Sequence, residues 1–208
     1  PGGIIAPAAT APGEIVVNGW SPSKRNNPYA NSGMVVQIDL PTAAKFLKQA
    51  TKKEVDLNHP LLLLEFQQYV EKQAFKSGGG LQVAPAARLV DFCTHKLSND
   101  LPDASYLPGL HAADLSDVLP KFVHETLQNG FMAFGKKMKG YYTNDAIVVA
   151  TESRTSSPVR IPRDADSFQH PQIKNLYPCG EGAGYAGGIV SAAMDGQKLA
   201  QSIAAQLK

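Results

Sequence analysis

The spacing of apolar residues changes twice along the 208 residues and divides the chain into three textures. Up to about Leu40 the period is two. Glu14-Ile15-Val16-Val17 runs into Asn18-Gly19, which predicts a strand ending in a tight turn. Met34, Val36, Ile38 and Leu40 alternate with Val35, Gln37 and Asp39, so one face is evenly apolar and a second strand is expected. The polar segment Ser21 to Ser32 lies between them, with Lys24, Arg25, Asn26, Asn27, Tyr29 and Asn31.

From about Pro41 to Tyr141 the period lengthens to that of helices. Pro60 suits a first turn, Phe66, Tyr69, Val70 and Ala74 follow at helical spacing, and Gly78-Gly79-Gly80 stops the helix. A second helix is expected from Asp117 to Met138. Leu119, Phe122, Val123, Leu127, Phe131, Phe134 and Met138 fall on one stripe, with Gly130 and Gly135 permitting close packing or a kink. Ser98 to Gly109, with Pro102, Pro108 and Gly109, reads as a loop.

The third texture starts at Asp145. Ala146-Ile147-Val148-Val149-Ala150 is a continuous apolar run, as in a strand covered on both faces. Ser157 to Ile161 is another candidate strand. After Asn175 to Cys179 comes a glycine-rich turn, and a helix is expected from Gly188 to Leu207.

An apolar share of 43% and a charged share of 18% are those of a globular protein with a core. A formal charge of +2 argues against nucleic acid or an anionic membrane surface as a partner. No run approaches the ~20 apolar residues of a membrane span. Cys93 and Cys179 lack metal-ligand or CxxC spacing and read as reduced thiols of a cytoplasmic protein. The five histidines are scattered, so no metal site is expected. Pro1-Gly2-Gly3 opens the chain without a start methionine, which suggests a piece cut from something longer.

Most of the chemistry points to Gly180-Glu181-Gly182-Ala183-Gly184-Tyr185-Ala186-Gly187-Gly188. Five glycines let the backbone approach a ligand and adopt positive φ. The amides opening the next helix attract anions or electron-rich oxygens. It is not a P-loop, because Gly-Lys-Ser/Thr is missing, and its glycines are mis-spaced for GxGxxG. A packing turn without a ligand stays open on these grounds.

The segment Asn175 to Ile189 resembles the C-terminal flavin motif of bacterial FAD-dependent dehydrogenases, the NAD(FAD)-utilising dehydrogenase-like flavoproteins. Glu152-Ser153-Arg154-Thr155-Ser156-Ser157-Pro158-Val159-Arg160-Ile161 resembles a second signature of that group. So do Pro1-Gly2-Gly3 through Ala9, Asn18-Gly19, Ser23 to Asn26, and Gly80 to Pro85. Trp20 stands where the family's Asn-Gly-x-Ser pattern has methionine.

The resemblance implies an α+β chain that is part of an α/β FAD-binding fold. Residues 1–40 would lead out of the FAD domain, 41–144 would form a mainly helical cap or substrate domain, and 145–208 would return. It implies a flavin-side site at Gly180, Glu181, Gly182, Gly184, Tyr185, Gly187, Gly188 and Ile189, and catalytic roles for Arg154, Ser156 and Arg160 against an anionic or carbonyl substrate. The strand–GxGxxG–helix unit that holds the ADP half of FAD is absent from these residues. The expected partners are therefore that missing nucleotide-binding half and a small substrate or nicotinamide, and this piece alone is expected neither to retain FAD nor to be active. The rival readings are a self-contained anion- or nucleotide-binding module without redox activity and a helical protein-interaction domain. In the bland alternative for the arginines, Arg154 pairs with Glu152 on a solvent face. Cys179 next to the turn reads as a buried thiol more readily than a redox one.

Overall fold

In the computed structural model, which describes residues 2–8 and 11–206, the chain begins as an antiparallel ribbon. Strand β1 (Ile4–Ala8) pairs with β2 (Val16–Trp20) from Ile4 opposite Trp20 to Ala8 opposite Val16. Asn18-Gly19 therefore lies inside a strand and not in the expected turn. A partner strand runs along its whole length, and Asn31 fills the space that a side chain at Gly19 would need, about 3.0 Å from its missing Cβ. Pro1, Ala9 and Leu207, at the edges of segments named above, lie outside the described residues.

The expected strand at Met34 to Leu40 is absent, although its period is real. Met34, Val36 and Ile38 are half-buried against the core while Val35, Gln37 and Asp39 are exposed. The segment is extended, but no ladder of backbone hydrogen bonds joins it to a sheet. It gives way to helix α1 (Leu40–Thr51), whose first turn is capped by the Asp39 carboxylate accepting from the Thr42 amide at 2.9 Å.

Helix α2 (Leu62–Ser77) follows the predicted stripe, burying Leu62, Phe66, Val70 and Ala74 and ending at Gly78. Each large side chain so buried contributes about 1.5–3 kcal/mol. Edge-to-face contacts of Phe46 with Phe66 (5.4 Å) and Tyr69 (5.3 Å) hold α1 on α2.

Strand β3 (Ala84–Arg88) is the centre of a second sheet, with β4 (Leu110–Ala112) parallel on one side and β5 (Ile147–Val149) antiparallel on the other. β5 is thus an edge strand and only half-buried, where cover on both faces was expected. Short helix α3 (Leu89–Cys93) leaves β3 and packs on α4 (Lys121–Lys137) through Phe92 and Phe131, 5.8 Å apart and edge to face. α4 starts later than predicted. Pro120 stands at its N-cap, and Leu115–Asp117 form a separate 3-10 turn capped by Asp114. Its apolar stripe also ends early, with Phe134 and Met138 exposed. Gly135 is the close-packed glycine, since a Cβ there would lie 2.6 Å from the Tyr142 Cβ, whereas Gly130 faces open space.

The buried core runs from Ile15 to Ala150. Beyond it, Ser157 to Ile161 and Asn175 to Cys179 form no strand. Helix α5 (Ile189–Gln206) follows, with Leu199 its one buried residue. The whole is an α+β fold, and no helix among the described residues is long and apolar enough to cross a membrane.

Candidate functional site

A groove of about 1110 Å³ opens between the extended segment at 28–38, helices α2 and α4, and the chain leaving β5. Phe66, Val70, Leu119, Val123, Leu127 and Phe131 give it an apolar wall. Asn31, Ser32, Glu152, Ser153, Thr155, Ser156 and Ser157 line a polar part. Asn31 is fixed there because its amide donates to the Ile4 carbonyl at 2.9 Å. Lys24, Arg25 and Asn26, its neighbours in the polar segment, do not line the groove.

The three catalytic candidates separate. Ser156 lines the groove. Arg154 turns to α2, where its guanidinium grips Glu71 through two hydrogen bonds, Nε to Oε1 at 3.0 Å and Nη2 to Oε2 at 2.8 Å. Glu71 is wholly buried and also accepts from the Ser153 hydroxyl. The ion-pair partner of Arg154 is therefore Glu71 and not Glu152. Arg160 lies over the Tyr185 ring, 4.5 Å from its centre.

The glycine-rich turn is packed on one side and open on the other. Gly180 and Gly184 take positive φ (+68° and +83°), and a Cβ on Gly184 would lie 2.7 Å from the Val159 carbonyl oxygen. Ala183 is buried and accepts from the Ile161 amide at 3.1 Å, while the Tyr185 hydroxyl donates to the Ile161 carbonyl at 2.9 Å. Gly182 and Gly187, by contrast, have nothing within 4 Å of a Cβ. Glu181, Gly187, Gly188 and Ile189 are exposed, Ile189 by 92%.

Two residues hold the turn together: Arg163, which the sequence groups with Arg154 and Arg160 around Ser156 and Ser157, and Asp195, which sequence reasoning did not place in the site. Arg163 pairs with Asp195 of α5 at 2.7 and 2.9 Å, donates to the Pro178 carbonyl and stacks on Tyr185 at 3.6 Å. Asp195 in turn accepts from the Gly180 amide at 2.9 Å. The Arg163 hydrogen bonds hold the Asp195 carboxyl down at about 2, against some burial. The Cys179 thiol is pushed up, first by burial and then by the Asp195 charge, which disfavours thiolate chemistry. Arg163 stood beside Arg160 in the sequence, but nothing there marked Asp195 as its partner.

Groove and turn are contiguous. Ser157, which lines the groove, donates to the Val159 carbonyl at 2.8 Å and lies 3.3 Å from that of Gly182. On its open side the turn offers Gly182, Gly187, Gly188 and the first residues of α5, with no acidic side chain in that helix's first turn. Bare backbone at Gly182 and Gly187 can be approached closely, and helix amides favour negative charge, although the Gly188 amide already donates to the Ser191 hydroxyl at 3.1 Å.

Residues 1–155 match the family described as FAD-dependent protein, C-terminal domain-like. The chain belongs to this family. A Clostridium beijerinckii relative described as an uncharacterized protein is 40% identical over 205 residues, which cover 98% of this chain and 36% of the relative. This chain of the FAD-dependent C-terminal family thus spans little more than a third of the length of the relative it matches. The family match takes in most of the groove and Arg154 but stops short of Ser156 and Ser157, which also line it, and of the glycine turn. Among the described residues of this family member, no three or more His, Cys, Asp or Glu side chains could hold a metal ion.

Proposed function

We propose that this chain is the substrate-side and flavin-side portion of an FAD-dependent oxidoreductase whose nucleotide-binding half lies elsewhere in the intact protein. The observation that carries the reading is the continuity of the groove with the open side of the glycine turn through Ser157. Bound there, the flavin would supply hydride exchange between a substrate or nicotinamide and its ring. Gly182, Gly187, Gly188 and Ile189 would approach it through backbone, and Glu181 would face its ribityl or phosphate part. Gly180, Gly184 and Tyr185 would shape the turn that presents them. The groove would orient the substrate and exclude water, with Ser156 at its polar end. Arg154 and Arg160 would support that end, one by anchoring it to α2 and the other by clamping the turn.

Family membership and 40% identity to a much longer relative support a protein that handles FAD as a whole. The test is the intact protein, purified and read for flavin absorbance and for bleaching by reduced nicotinamide or a substrate library. The reading predicts yellow protein carrying about one flavin per chain. Colourless intact protein that takes up no added FAD would overturn it.

A further inference from the structure

Three residues leaving β5 are tied to the body, and the one between them is not. Thr151 accepts from the Val17 amide at 2.9 Å, while Ser153 and Arg154 both donate to Glu71. The carboxylate of Glu152 lies instead on the groove side, with Oε2 2.9 Å from where a Cβ on Gly33 would be. Gly33 leaves it that room. No hydrogen bond or ion pair to Glu152 is present among the described residues, though it is half-buried and burial raises its pKa.

The charge of the whole lining points the same way. Its charged members are Asp103, Asp145 and Glu152, and none of the described lining residues is Lys, Arg or His. Asp145 takes a hydrogen bond from the Thr143 hydroxyl at 3.3 Å. Arg154, which would have received an anion, is committed to Glu71. A carboxylate ligand would meet like charge and no cation, whereas an ammonium would give the unpaired Glu152 a partner. One wall of the groove is hydrocarbon, from Phe66 and Val70 across to Leu127 and Phe131.

We propose that the groove binds an aliphatic amine, its ammonium group on the Glu152 carboxylate and its apolar body against α2 and α4. As a statement about the substrate of the oxidoreductase it rests on the flavin reading, but binding can be measured without turnover. The intact protein is titrated calorimetrically with octylamine, octanol and octanoate at about pH 7.5, where the amine is cationic and the acid anionic. One charge-assisted hydrogen bond gained against a like-charge contact predicts octylamine binding at least about tenfold tighter than octanoate. Glu152→Gln removes that margin and leaves octanol binding unchanged. Octanoate binding as tightly as octylamine, a margin that survives Glu152→Gln, or no binding of any of the three overturns the proposal. If Glu152→Gln fails to fold, seen as loss of octanol binding, the wild-type ranking decides. Amine preference in a protein without flavin leaves the amine site and removes the oxidoreductase, and flavin without amine preference does the reverse.

Discussion

Residues up to about 155 and those after it are ordered by different forces. In the first stretch apolar burial dominates, with one cluster joining the ribbon, α1 to α4 and Ala150. In the second, Pro178, Ala183 and Leu199 are the only described apolar side chains that are buried, while Ile189, Val190 and Met194 on α5 are exposed. What orders it is polar: the Arg163–Asp195 pair, the stack on Tyr185 and the hydrogen bonds of Ala183 and Gly180 to neighbouring chain. A helix of 18 residues that buries so little holds poorly by itself, since most helical stability comes from packing an apolar face. The body is held by burial and the tail by polar contacts, and in the proposed reading the nucleotide-binding half would cover the apolar side chains that α5 leaves exposed.

The largest effect expected of that difference is on cofactor binding. In the proposed reading the turn would reach only one end of FAD, with the phosphate-cradling unit lying elsewhere in the intact protein. Missing several charge-assisted hydrogen bonds, at about 1.5–3 kcal/mol each, weakens affinity by about three orders of magnitude or more. Purified as these 208 residues, the protein is expected to be colourless and to leave the fluorescence of added FAD unchanged at micromolar concentration. Stoichiometric flavin on it would show the tail to be complete as it stands.

Next in size is the joint between the two regions. Glu71 is fully buried and Arg154 is its cationic partner, so Arg154→Met strands a buried carboxylate. Breaking such a pair costs about 3–5 kcal/mol, and the lower end applies because the Arg154 side chain is 39% exposed. Urea denaturation should show that loss, with Arg154→Lys recovering part of it. A change under about 1 kcal/mol would mean that the joint does not hold the body. For the same reason residues 41–144 alone should melt without one sharp transition. They lack β5, the Ile15 and Val17 side chains and the partner of Glu71. A single cooperative helical melt of that piece would restore the helical stretch as a unit in its own right.

How much of this was legible follows the same division. The stripes of α2 and α4 and the apolar run of β5 were readable because burial imposes a period or a run. The alternation at Met34 to Ile38 was readable as well, but periodicity reports which face is buried and not whether a partner strand exists. β3 was not readable. Ala-Pro-Ala-Ala-Arg has no β-branched or aromatic residue, and Pro85 argues against a central strand. Arg154, Ser156 and Arg160 were found as a segment. Their separate destinations depend on Glu71 and Tyr185, which are 83 residues before Arg154 and 25 after Arg160. Glu152 was named only as a partner for Arg154, and Asp195 was not marked at all, since what each faces in space is set by distant residues.

A smaller effect separates the regions in amide exchange. Amides of α2 should open only with global unfolding, whereas those of α5 should exchange at least about 30-fold faster, a difference of about 2 kcal/mol. In the intact protein α5 should approach the protection of α2, because its exposed apolar side chains would be covered. Equal protection of the two helices in the 208-residue chain would break the comparison, and slow exchange confined to α2 in both proteins would remove the inferred cover.

The smallest effect is acid titration inside the tail. Asp195 is held at about 2 by Arg163, below the ordinary carboxylate value of 3.8. A lowered carboxylate binds fewer protons folded than unfolded at intermediate pH, so its contribution to stability is complete above the unfolded value. That contribution falls away as pH drops from about 5 through the folded value. The Gly180 amide donates to Asp195, which makes its resonance a local reporter. In heteronuclear spectra that resonance should stay fixed down to about pH 4 and then move with a midpoint near 2. Asp195→Asn should abolish the movement and leave the resonances of Ile15 and Val17 in place. If instead the midpoint falls at the ordinary carboxylate value, the Arg163 pair is not formed in solution. The glycine turn would then have lost the contact that binds it to α5, and the polar account of how the tail is ordered would fail with it.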